Sequence, residues 1–166
     1  MLLIGSRISI RSLAVMRQFG VSFGQSERWP SSSMGQQISI VDDDDAVREA
    51  LERLLKSLGY QTKIFASAQQ FLNSDQPYAA SCLILDVRMP EMGGLELQDY
   101  LISQGQYIPT ILITATPTPD EHIRAIANGA VSYLAKPLTE QTLLASLHDA
   151  MAFAEEPVTD PVPPRS

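Results

Sequence analysis

The sequence predicts an α/β fold, a five-stranded parallel sheet wound doubly with helices on both faces. Three observations predict it. From Gln37 onward, five short apolar runs alternate with five segments of helical spacing. The runs are predominantly apolar, as strands covered on both faces are. Carboxylates, a hydroxyl and an ammonium close four of them, at the ends where an open parallel sheet places its ligand crevice.

The elements follow in order. Residues 38–41 form an apolar run that ends in four consecutive aspartates, Asp42, Asp43, Asp44 and Asp45. After them Val47, Leu51, Leu54, Leu55 and Leu58 fall on one helical face, and Arg48, Glu49, Glu52, Arg53 and Lys56 on the other. Gly59 supplies the C-terminal cap. Further strands are predicted over 63–65, 82–85, 110–113 and 131–134, and helices over 67–72, 94–103, 119–128 and 139–152, the last with Leu143, Leu147 and Met151 aligned. The four aspartates divide by position. Asp42 and Asp43 end the strand and face the crevice, whereas Asp44 and Asp45 start a helix whose free N–H groups and dipole favour carboxylates.

Composition bounds the class. At 166 residues, with 45% hydrophobic and 19% charged residues, the chain fits one globular domain with tails. Residues 1–35 hold Arg7, Arg11, Arg17 and Arg28 against Glu27, so the remainder carries about −10 by subtraction from the net −7. We expect residues 1–36 to be a disordered leader, or an artefact of start assignment with translation beginning at Met34, residues 37–153 to be the folded domain, and residues 154–166 to be a disordered, Pro-rich acidic tail. The negative charge argues against direct nucleic-acid binding. No apolar run approaches the roughly 20 residues of a membrane span. The single cysteine, Cys82, lies inside the run CLIL and reads as a small buried hydrophobe in a reducing, cytoplasmic setting.

On the predicted sheet Asp42, Asp43, Asp86, Thr114 and Lys136 converge beyond the strand ends. Three carboxylates only partly offset by one ammonium suit a hard cation, Mg²⁺ in a cell. A metal beside a carboxylate also suits phosphoryl transfer, where positioning and charge neutralisation dominate. Thr116 and Thr118 compete with Thr114 for the hydroxyl role, but both lie past the strand end. His122 and His148 read as solvated helix positions.

The stretches IVDDDDAVREALERLL, CLILDVRMPEMGGLEL, PTILITA and GAVSYLAKPL, in this order, resemble the response-regulator receiver domain of bacterial two-component systems. The resemblance covers about residues 37–153 and implies a flavodoxin-like strand order 2-1-3-4-5. It implies that Asp86 is the phosphoacceptor. It further implies that Asp42, Asp43, Asp86 and the backbone carbonyl of Arg88 bind Mg²⁺, and that Lys136 pairs with Asp86 and then with a phosphoryl oxygen. Thr114 would donate its hydroxyl to the phosphoryl group, Tyr133 would be the aromatic whose rotamer follows that hydroxyl, and the Lys136–Pro137 bond would be cis. One departure stands out: the segment after Thr114 runs ATPTPD, and its two prolines should stiffen a loop expected to move.

The functional expectation is a stand-alone receiver, not an enzyme. It accepts a phosphoryl group from a sensor histidine kinase or histidine phosphotransfer protein, and it signals through an unknown downstream protein or acts as a phosphate sink. A homodimer through the output face fits the same resemblance. Two alternatives belong to other classes: an aspartyl-phosphate-forming phosphohydrolase, which would usually carry a second acid where Arg88 stands, and a receiver-like binding module that is never phosphorylated.

Overall fold

The computed structural model describes residues 36–75 and 77–154. The expectations for the leader and for most of the tail lie outside the described residues. The elements run β1 (Gln37–Val41), α1 (Asp45–Ser57), β2 (Gln61–Phe65), α2 (Ala68–Leu72), β3 (Cys82–Asp86), α3 (Gly94–Ser103), β4 (Thr110–Thr114), α4 (Pro119–Ala127), β5 (Ser132–Ala135) and α5 (Glu140–Ala154), with a 3-10 turn at Pro77–Ala79. The five strands are all parallel and ordered β2-β1-β3-β4-β5, the order that the resemblance implies.

Strand alternation sorts the core into two layers. Ile38, Ile40, Cys82, Ile84, Ile111 and Ile113 pack with Leu51 and Leu55 of α1 and with Leu143, Leu147 and Met151 of α5. Val41, Leu83, Leu85 and Leu112 pack on the other face with Phe71 of α2, Leu97 and Leu101 of α3 and Ala125 of α4. Every residue of β3 and β4 is buried, which is why these segments read as unbroken apolar runs. At the edge, β2 starts at Gln61, two residues before the apolar run, because Gln61, Lys63 and Ile64 remain exposed while the backbone still pairs with β1.

Helix ends follow local chemistry. The cap of α1 is Asp44, whose carboxylate accepts from the Ala46 N–H at 2.9 Å and the Val47 N–H at 3.3 Å. Asp45 is already helical and pairs with Arg48. Gly59, at φ 90°, takes the left-handed position past the helix end. Thr118 caps α4 by accepting from the Glu121 N–H at 3.3 Å, and Pro119 occupies the first helical position, where it needs no N–H donor.

The loop after β3 folds back over the strand end. The Gly94 N–H donates to the Val87 carbonyl at 3.1 Å, and the Gly93 N–H donates to the Glu96 carboxylate at 2.8 Å. A Cβ on Gly94 would press on the Asp86 carbonyl oxygen and lie 3.1 Å from Leu112 Cδ2. Backbone on one side and a buried leucine on the other leave no room to relax. Gly94→Ala should therefore cost about 1–3 kcal/mol of stability, read as a lowered midpoint in thermal denaturation.

Candidate functional site

The site forms where β1 and β3 end side by side. Val41 pairs with Leu85, so the next residues, Asp42 and Asp86, stand as neighbours at the carboxyl ends of two central strands. Both are buried, Asp42 at 0% and Asp86 at 4% exposure, whereas Asp43 is exposed. One oxygen from each of Asp42, Asp43 and Asp86 lies within 4.8 Å of the others. Lys136, the residue after β5, reaches into the same place. Its ammonium is 2.8 Å from Asp42 Oδ2 and 3.4 Å from Asp86 Oδ1. The resemblance implied Asp86 as the partner of Lys136, and in the structure the shorter contact is to Asp42.

Backbone geometry holds these groups. The Lys136 N–H donates to the Thr114 carbonyl at 2.8 Å, tying the end of β5 to the end of β4, and the Lys136–Pro137 peptide is cis. Asp42 Oδ1 accepts from the Asp44 N–H at 2.9 Å, and the Arg48 guanidinium donates to the Asp42 carbonyl oxygen. Arg48 escaped the sequence reading, which placed it on the solvated face of α1. No periodicity pointed to it, because Asp42 precedes the helix that begins at Asp45.

The electrostatics are those of a crowded acidic pocket. Burial, reinforced by the Asp42 charge, pushes the Asp86 carboxyl up to about 6 against the opposing pull of Lys136 and the Arg88 N–H. Burial also works against the Lys136 ammonium, yet the hydrogen bond and charge of Asp42, with Asp86, outweigh it and hold the ammonium above its usual range. One ammonium therefore serves two buried carboxylates. The residues fit a hard divalent cation: three oxygen donors in reach of one another, two of them buried, with an acid that a positive charge would relieve.

Around this cluster the remaining candidates fall into two groups. Thr114 is fully buried at the end of β4, and its hydroxyl oxygen accepts from the Thr116 N–H at 3.2 Å. Thr118 spends its hydroxyl on capping α4, and Thr116 is exposed. Tyr133 lies farther out. Its hydroxyl donates to Glu121 Oε2 at 3.0 Å and accepts from the Thr118 N–H at 3.2 Å, and its ring stacks on His122 with centroids 5.2 Å apart. His122 is exposed, as the sequence reading had it, and its ring is an aromatic partner of Tyr133. The Arg88 guanidinium pairs with Glu121 Oε1 at 2.7 Å. Glu121 was not singled out, because its spacing marks it only as a first-turn acid of α4.

A family model described as the response regulator receiver domain matches residues 38–148. The chain belongs to the response regulator receiver family. Among curated relatives of this receiver, the response regulator protein TmoT of Ectopseudomonas mendocina is 42% identical over 80% of this chain, which spans 60% of TmoT. Among solved structures, the response regulator StyR is 39% identical at a TM-score of 0.67, over 72% of this chain and 60% of that one. The FixJ-N crystal structure is 30% identical at a TM-score of 0.62, over 70% of this chain and 94% of that one. The receiver thus spans about three fifths of TmoT and StyR and almost all of FixJ-N. Among the described residues, no helix is long and apolar enough to cross a membrane.

The Asp86 shift carries a sign that stability measurements can read. With the folded value near 6 and the unfolded value near 4, the folded receiver binds the extra proton in that window, so stability falls as pH rises through it. Asp86→Asn removes the buried charge. In EDTA it should raise the stability of the domain at pH 7.5 by about 1–3 kcal/mol, and the gain should vanish below about pH 4, in denaturant titrations across pH.

Proposed function

We propose that this receiver is a phosphoryl acceptor, with Asp86 as the nucleophile. The observation that carries the reading is the constellation at the ends of β1 and β3, a buried aspartate flanked by two further carboxylates and an ammonium. In the reaction an Asp86 oxygen forms a bond to phosphorus as the bond from phosphorus to the donor imidazole nitrogen breaks. The imidazole leaves with the electron pair and takes a proton from solvent, and Asp86 becomes an acyl phosphate. Phosphodonors are a sensor histidine kinase or a histidine phosphotransfer protein, which the family assignment supports.

Each residue has a distinct task in this reading. Asp42, Asp43 and Asp86, with the Arg88 carbonyl, hold Mg²⁺, which when bound neutralises charge on the incoming phosphoryl oxygens. Lys136 holds the two buried carboxylates together at rest and then shifts to a phosphoryl oxygen. Thr114, buried beside the acceptor, turns its hydroxyl from the Thr116 N–H to the phosphoryl group, and Tyr133 follows. Arg88, where an aspartyl-phosphate hydrolase would usually carry a second acid, faces Glu121, which favours a signalling over a turnover role.

The output is a change in the surface of α4, β5 and α5, presented to a downstream protein or to a second copy of the domain. TmoT and StyR extend well beyond the matched region, so the proposal concerns what the receiver itself does. A cytoplasmic location is part of this reading. It is supported by the family assignment.

Radiolabelled acetyl phosphate with Mg²⁺ should label wild type, in a bond cleaved by hydroxylamine, and should leave Asp86→Ala unlabelled; equal labelling of both would sink the assignment. The acidic run separates by substitution as well. Asp43→Ala should weaken Mg²⁺ binding at least tenfold, a loss of about 1.4 kcal/mol or more, with little change in melting temperature. Asp44→Ala should keep Mg²⁺ affinity and cost about 1 kcal/mol of stability through the lost cap of α1.

A further inference from the structure

The loop that leaves the acceptor strand is joined to α4 and β5 by side chains that the acceptor chemistry does not use. Arg88 stands two residues after Asp86. Its guanidinium meets Glu121 Oε1 at 2.7 Å. The second oxygen of the same carboxylate, Oε2, accepts the Tyr133 hydroxyl at 3.0 Å. That hydroxyl in turn accepts from the Thr118 N–H at 3.2 Å, and the Tyr133 ring is stacked on His122 at an interplanar angle of 11°. Glu121 therefore has both oxygens committed, one to each neighbour.

An ion pair at a protein surface contributes little by itself, and the Arg88 side chain is 58% exposed. The Glu121 side chain is different. It is 20% exposed, and it links the loop that leaves the acceptor strand with a residue on the outer strand. Without the guanidinium, Glu121 would gain by turning to water and would release the tyrosine hydroxyl. A charge-assisted hydrogen bond is stronger and more directional than a neutral one, so the position of this carboxylate governs that of the ring.

We propose that Arg88 is a positioning residue: its ion pair holds Glu121 where it fixes the Tyr133 hydroxyl, and the pair acts as a latch that sets the resting balance of the receiver. The proposal rests on the acceptor reading of Asp86 for its meaning in signalling, and on the Arg88–Glu121 and Glu121–Tyr133 contacts for its geometry. It assigns the Arg88 side chain a role separate from that of its carbonyl. Arg88 follows Asp86 by two residues on the loop that leaves the acceptor strand, so the latch is anchored next to the chemistry.

The test uses protein carrying 3-fluorotyrosine, with the Tyr133 fluorine signal assigned by Tyr133→Phe. In the absence of any phosphodonor, Arg88→Ala and Glu121→Gln should each move the Tyr133 signal away from its wild-type position, in the direction that beryllofluoride with Mg²⁺ moves it in wild type. Arg88→Lys, which keeps the charge, should leave it near the wild-type position. Initial labelling by acetyl phosphate should rise by about two- to fivefold in Arg88→Ala and Glu121→Gln, the size expected for losing one partly exposed ion pair. A folded Arg88→Ala protein whose Tyr133 signal and labelling rate both match wild type would overturn the proposal. Failure of the acceptor reading is distinct, since it appears as absent labelling of wild type itself, whereas displacement of the Tyr133 signal by Arg88→Ala needs no donor.

Discussion

Two buried carboxylates at the ends of adjacent parallel strands are the constraint on which the rest of this molecule depends. Asp42 and Asp86 would repel each other in a region poor in water, and burying an unpaired charge is among the costliest things a fold can do. Lys136 resolves part of that conflict at 2.8 Å and 3.4 Å, and a divalent cation would resolve the remainder. The strain is kept rather than designed away: Asp86 sits up near 6, poised between the charged and neutral forms. An acid in that state gains from any arriving positive charge, which is how a signalling site couples stability to occupancy.

The scaffold exists to deliver that pair. Parallel strands buried on both faces bring β1 and β3 to the same level, and the helical crossovers through α1 and α3 leave their carboxyl ends open. Gly93 and Gly94 let the loop after β3 lie against the strand it has just left. On the far side, the bond from Lys136 to the Thr114 carbonyl sets the depth to which the lysine reaches. Rigidity at the strand ends contrasts with the outer layer, where Arg88, Glu121 and Tyr133 meet through side chains alone. Groups held this way can exchange partners without disturbing the sheet.

Much of this was legible in the residues. The apolar runs of β1, β3 and β4 were read almost to their observed ends, because burial on both faces leaves an unbroken apolar signature. The bounds of α3 agreed, since Gly94 starts the helix behind a glycine whose own N–H is satisfied by Glu96. The edge strand β2 was read short because exposed positions carry no apolar signal. Within the aspartate run, the division into crevice and helix halves was visible, but the cap fell on Asp44 alone, with Asp45 turned to Arg48.

By itself the amino-acid sequence determined the fold class, the family resemblance and the set of polar residues that close the strands, since each follows from periodicity or from local order along the chain. Tertiary structure alone decided which of those residues touch. Lys136 lies closer to Asp42 than to Asp86, Arg48 braces the Asp42 carbonyl, and Glu121 joins Arg88 to Tyr133, all across separations of 6 to 94 residues that no spacing rule spans. The physical reason is that a side chain's partner depends on its rotamer and on sheet register together. Sequence order constrains neither of these at distances where the chain has already turned back on itself.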